Sequence, residues 1–142
     1  MRLRVLAAAA SLCLPASVVH AQADFDALKA SAEISNDLAR RDIDAAAAVA
    51  SRLMIATPVA KLKNTFDMAR DYGQGEYTDL VYARDYGRTG KDIIYKIDYE
   101  KAFLFVRFLY HVDRGNWRLI HVDLKTEDAL PFPKDWLQIY PK

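Results

Sequence analysis

The sequence predicts an α+β domain in which N-terminal helices precede an antiparallel sheet and pack on it. Three observations carry that expectation. Apolar residues recur at helical spacing early in the chain, at Phe25, Leu28, Ala32 and Leu38 with Ile34 beside them, and again at Val59, Leu62, Phe66 and Ala69. From residue 93 to residue 124 the period drops to two, in a run rich in β-branched and aromatic residues, IIYKIDYEKAFLFVRFLYHVDRGNWRLIHVDL. Within that run Asp113-Arg114-Gly115 is a compact hairpin signal, so the stretch reads as a three-strand meander.

Ahead of the domain, residues 1–21 (MRLRVLAAAASLCLPASVVHA) read as a secretory leader. Arg2 and Arg4 precede an apolar stretch from Val5 to Leu14, and Pro15 follows. Val19 and Ala21 then stand at the minus-three and minus-one positions of a cleavage point, with a second such point after Ala23. The apolar stretch is too short for a comfortable membrane span, and a later apolar run at 102–109 is broken by Arg107. The expected product is therefore exported, periplasmic or secreted, with no transmembrane segment once the leader is gone. Cleavage removes Arg2 and Arg4 and leaves 18 basic against 19 acidic side chains. That balance argues against a general nucleic-acid binder. The sole cysteine, Cys13, leaves with the leader. A domain over residues 22–130 must then depend on an ordinary apolar core, without disulfides, thiolate chemistry or cysteine-bound metal.

The first helix is expected over roughly residues 24–40. The segment DAAAAVA carries helix on to about Ile55, because alanine loses almost no side-chain entropy there. Arg41-Asp42-Ile43-Asp44 reads either as a tight break, with Asp44 capping a second helix, or as a bend in one long helix. Thr57-Pro58 looks like an N-cap followed by proline at the first helical position, and Gly73 can end that helix. Residues 77–86 alternate as a strand, although Leu80, Val81 and Arg84 would also suit a short helix. Gly87-Arg88-Thr89-Gly90 makes a turn and lacks the lysine and hydroxyl pattern of a phosphate-binding loop. The pentapeptide Ala-Arg-Asp-Tyr-Gly occurs at 69–73 and 83–87, too short a match to define a structural repeat.

A type I turn with Gly115 in the left-handed position closes the last hairpin and sets a register. Val112 then faces Asn116, His111 faces Trp117, Leu109 faces Leu119, Arg107 faces His121 and Phe105 faces Asp123. The opposite face carries Leu104, Val106, Phe108, Tyr110, Ile120, Val122 and Leu124 as a packed surface. A two-residue turn would shift these partners and exchange one strand's faces.

Helices followed by an antiparallel sheet that ends in Gly115-Asn116-Trp117-Arg118-Leu119 resemble the NTF2-like superfamily, in particular its small exported bacterial members of unassigned function. The resemblance runs over roughly residues 24–127. It implies a curved, cone-like sheet backed by helices, a pocket on its concave side, and often a homodimer formed through sheet surfaces. Members include enzymes and non-enzymatic binding domains, so the resemblance does not select a chemistry.

The chemical group that the expected register assembles is Arg107, His121 and Asp123, walled by Phe105, Leu109 and Trp117. Arginine can hold a carboxylate or another anion bidentately. His121 can exchange a proton near neutrality, with Asp123 orienting it. The ligand-binding expectation is therefore Arg107, Phe105, Trp117 and Leu109 around a small anionic or mixed polar-apolar molecule. The acid–base expectation is His121 with Asp123, as in an isomerase or hydro-lyase. Asp79, Asp98 and Asp123 are further candidates for a base, with Tyr82, Tyr95, Tyr99 and Tyr110 as donors, but nothing in the sequence makes any pair converge. His111, His121 and Asp123 make a meagre metal set, and no cofactor or metal is expected.

The tail adds a separate feature. Pro131 and Pro133 hold the chain extended, while Phe132, Trp136, Ile139 and Tyr140 supply large apolar anchors. Residues 131–142 read as a strap on their own domain, or as an arm that packs on a protein partner or a second subunit. Taken together, the sequence favours a non-catalytic exported binding or interaction module, with the His–Asp enzyme and a purely structural subunit as alternatives.

Overall fold

The structure is a computed structural model and describes residues 25–126. The expected leader and the expected C-terminal strap, with Phe132, Trp136, Ile139 and Tyr140, lie outside the described residues.

Three helices and a 3₁₀ segment come first. Helix α1 (Ala27–Ala39) starts where the Asp26 side chain accepts a hydrogen bond from the Lys29 backbone N–H at 3.1 Å. It ends before Arg41, whose φ of 62° leaves helical space. That break rules out one long helix. Helix α2 (Ile43–Leu53) is capped by Asp42, which accepts from the Ala45 N–H at 3.0 Å. Asp42 therefore takes the place expected for Asp44. Helix α3 (Val59–Phe66) begins after Pro58 with no side-chain cap, so Thr57 does not fill the role its type suggests. The 3₁₀ segment Asp67–Tyr72 follows, and Gly73, at φ 90°, ends it.

The buried stripe of α1 differs from the expected one. It runs through Ala27, Ser31, Ile34, Ser35 and Leu38, and Leu28 is exposed. Two serines in the stripe are tolerated because each hydroxyl is bonded. Ser31 Oγ lies 2.9 Å from the Tyr110 hydroxyl, and Ser35 donates to the Ser31 carbonyl at 2.8 Å.

Four strands follow in a meander of sheet order β1-β2-β3-β4, all neighbours antiparallel. They are β1 (Gly75–Tyr86), β2 (Gly90–Tyr99), β3 (Phe103–Asp113) and β4 (Asn116–Thr126). Residues 77–86 thus join the sheet and add a strand to the expected three. Ile93, Tyr95, Ile97 and Tyr99 of β2 and Leu104, Val106, Phe108 and Tyr110 of β3 bury one face against the helices. Gly75 enters the sheet against the end of α1, where an added Cβ would lie 2.7 Å from the Ala39 Cα. A side chain there is excluded by the helix backbone. Among the described residues, no helix is long and apolar enough to cross a membrane.

The expected NTF2-like cone is not formed. The sheet is open, not strongly curled, and covered by the described helices on one face only. Curling a sheet takes bulges or kinks in its middle. The central β2–β3 pair instead runs without a register shift from Gly90↔His111 to Asp98↔Phe103. The irregularities fall on the outer pairs, after Gly75 and Leu80 in β1 and between Leu109 and Tyr110 in the β3–β4 ladder. The central pair keeps an unbroken register.

Three sheet tyrosines tie the layers together. Tyr110 meets Ser31, Tyr99 donates to the Leu38 carbonyl at 3.0 Å, and Tyr95 donates to the Leu28 carbonyl at 3.4 Å. Burial pushes the Tyr110 phenol up to about 12, partly opposed by the Ser31 hydroxyl, and burial also raises Tyr99. The unfolded chain releases these protons near the ordinary value of about 10. The stability held in the neutral phenols is thus fully present below about pH 10 and is lost as pH rises through the folded values. Alkaline titration is expected to ionise the exposed tyrosines first. The buried ones should then ionise together with loss of the far-ultraviolet helix signal. A single phenolate transition with the helix signal intact would contradict this.

Candidate functional site

Two local events decide what the β3–β4 hairpin presents. Asp113 pairs with Asn116, so Arg114-Gly115 is a two-residue turn with positive φ at both positions, 48° and 81°. This primed geometry matches the right-handed twist of the flanking strands, and it replaces the expected type I turn. Val112 then faces Trp117, His111 faces Arg118 and Tyr110 faces Leu119. The second event is a bulge. Leu109 pairs with His121, leaving Ile120 as the extra residue, and Arg107 pairs with Asp123 and Phe105 with Lys125.

The expected partners are thus off by one before the bulge and by two beyond it. A shift of two restores the face, so Phe105, Arg107, Leu109, His121 and Asp123 do share the outer face of the sheet, away from the helices. Before the bulge the faces are exchanged. Trp117 packs against the helix-side core and Leu119 is buried in it, so Trp117 does not wall the outer face. Ile120, expected in the packed surface, is 54% exposed.

On the outer face Arg107 turns to β2. Its Nε and an Nη donate to the two carboxylate oxygens of Asp92 at 2.9 and 2.6 Å. Asp92 is fully buried and the Arg107 side chain is 24% exposed. The hydrogen-bonded carboxylate pushes Arg107 further up from its already high value. This fork occupies the bidentate geometry that an anionic ligand would need. His121 and His111 are exposed, and Asp123 lies 3.7 Å from the Lys125 ammonium. Asp98 is paired with Lys96 at 2.7 Å. Tyr95, Tyr99 and Tyr110 point to the helices, across the sheet from Asp98 and Asp123, so these tyrosines and carboxylates do not converge. Among the described residues, no three histidine, cysteine or acidic side chains are grouped to hold a metal ion.

Sequence reasoning missed Asp92. Its signal was its place at the head of the alternating set Asp92, Ile94, Lys96 and Asp98. Linking it to Arg107 needs the β2–β3 register, which a single sequence does not supply. A second missed feature is an apolar rim at the β4 edge. Met54 forms an isolated parallel bridge with Leu119, and the adjoining Ile55 and Ile120 are 57% and 54% exposed. With Thr57 these residues line a cleft of about 140 Å³. A third is a cleft of about 160 Å³ between α1 and the β1–β2 hairpin, floored by Leu28, Ala83 and Ile93. Lys91 at its rim is held by Asp85 at 2.7 Å and lies 5.4 Å from the centre of the Trp117 ring.

Comparison with known protein families, curated proteins and solved structures finds no match for this chain.

Proposed function

We propose that this chain is an exported, non-catalytic binding module that engages another polypeptide through the rim formed by Met54, Ile55 and Ile120. The observation that supports this reading is the presentation of two large aliphatic side chains side by side at a sheet edge. Isolated exposed apolar residues are ordinary, but adjacent ones at a strand edge mark a contact surface. The bulge puts Ile120 there, and the bridge at Met54 sets Ile55 beside it. The export half of the proposal stands on the leader-like residues 1–21. The ionisable side chains that would serve a proton-transfer enzyme are paired with neighbours or open to solvent. They lend that alternative no comparable support.

The test is a photo-crosslinking amino acid placed at Ile55, at Ile120 and, as control, at the exposed Arg88, in cells that make the protein. A discrete adduct is expected from Ile55 and Ile120 and not from Arg88, and Ile55→Asp should abolish the adduct made from position 120. An adduct of twice the chain's mass would identify a second copy as the partner. No adduct from either isoleucine, or equal labelling from Arg88, would overturn the proposal.

A further inference from the structure

Two neighbouring cross-strand pairs near the turn of the β1–β2 hairpin differ in kind. Ala83 pairs with Ile93, and two residues along the strands Asp85 pairs with Lys91. Alternation puts all four on the side of the sheet that faces the helices. Leu28 of α1 lies across from them, and the cleft between measures about 160 Å³. An apolar floor of Leu28, Ala83 and Ile93 thus runs directly to an ion pair, Lys91 Nζ to Asp85 Oδ1 at 2.7 Å. Arg84 also borders the cleft, but the same alternation turns its side chain to the outer face, with the guanidinium 5.2 Å over the Tyr86 ring. The cleft shares no residue with the rim at Met54, Ile55 and Ile120.

We propose that this cleft binds a free α-amino acid with a branched aliphatic side chain. Lys91 takes the carboxylate, Asp85 takes the ammonium, and the side chain rests on Leu28, Ala83 and Ile93. The rim decides the class. Its two opposite charges cancel, so a fatty acid or an alkylamine would be attracted by one and repelled by the other. A zwitterion meets each with the opposite sign. The existing Lys91–Asp85 pair is a small obstacle. Its side chains are 30% and 67% exposed, and a pair so close to solvent contributes little that a ligand has to replace. Lys91 also lies 5.4 Å from the centre of the Trp117 ring, which holds the ammonium in place before binding.

Size points the same way. Drug-sized ligands use pockets of about 300–1,000 Å³, and this one suits a smaller molecule. Two residues along a strand span about 6.6 Å, close to the reach from an amino-acid headgroup to the end of a branched side chain. Leu28 keeps 41% exposure beside the buried Ile93, and a bound side chain would withdraw that apolar surface from water.

Titration of L-leucine into the isotope-enriched full gene product, followed by amide chemical shifts, tests the proposal. Saturable shifts are expected at Ala83, Asp85, Lys91 and Ile93. At about pH 6.5 the amine of leucinamide is charged, so leucinamide differs from leucine in lacking the carboxylate. N-acetylleucine lacks the ammonium, and glycine lacks the side chain. Each should bind about tenfold more weakly or worse, the effect of losing one charged hydrogen bond or its apolar equivalent. Lys91→Met keeps the stem of the side chain and should erase the preference for leucine over leucinamide. Ala83→Leu fills the floor and should abolish the response, with the amide signals of β3 and β4 reporting that the fold is kept. If Ala83→Leu does not fold, the ligand series and Lys91→Met decide the matter. No saturable shift at these amides, a response confined to other residues, or glycine or leucinamide binding as tightly as leucine would overturn the proposal. So would a Lys91→Met protein that still prefers leucine to leucinamide.

Discussion

Replacing Arg107 by methionine is expected to destabilise the protein by about 3–5 kcal/mol, the range for breaking one side of a buried ion pair. The substitution keeps the apolar stem in place and removes the charge that Asp92 faces. Asp92 has no exposure of its own and so cannot recover hydration without opening the face. The reverse change, Asp92→Leu, should cost about 1–3 kcal/mol. Arg107 is partly exposed and has Asp123 directly opposite on β4 as a replacement partner. The double variant Asp92→Leu/Arg107→Met is expected to lie close to wild type, since well-packed apolar replacements of a buried pair are often neutral. Urea unfolding of the four proteins measures the cycle. Equal losses from both single changes, adding in the double variant, would show that the pair is not a desolvated unit.

Much of the architecture was legible because periodicity records burial. The alternation of Leu104, Val106, Phe108 and Tyr110 marks one face of β3, and that face is the core. Val59, Leu62, Phe66 and Ala69 mark α3 and the 3₁₀ segment in the same way, and Leu62, Phe66 and Ala69 are buried. The stripe of α1 misled because Ser31 and Ser35 do not count as apolar. Ser31 is satisfied by a tyrosine 79 positions away, Tyr110, and Ser35 by the Ser31 carbonyl one turn back. The hairpin was the harder problem. Asp113-Arg114-Gly115 is compatible with two turns, and the choice between them moves every partner. A bulge at Ile120 then restores the outer-face set with different neighbours. Arg107 was singled out as an anion-binding group, and the carboxylate it holds is Asp92 of β2, which only a register can show. The cone came with the family resemblance. No residue on β2 or β3 encodes it, and their ladder is regular.

Phe108→Ala is expected to cost about 3–5 kcal/mol, as truncation of a buried aromatic side chain does. Phe108 has no exposure, lies between the helices and the sheet, and meets the Tyr95 ring edge-on at 6.5 Å between centres. Removing its ring deletes packing on both β2 and the helix layer, and tightly packed neighbours can close only part of the cavity. Leu109, next along β3, points to the outer face and is partly exposed. Leu109→Ala should cost roughly 1–1.5 kcal/mol, since truncation removes less surface from water and leaves an opening that solvent can enter. The contrast depends on which side of the sheet the helices cover. It needs no assumption about the turn or the bulge. Thermal and urea unfolding of the two variants, with unchanged m-values, would establish the ranking. A larger loss at Leu109 than at Phe108 would mean that the principal core lies on the other face. The helix-side packing of Tyr95, Tyr99 and Tyr110 would fall with it.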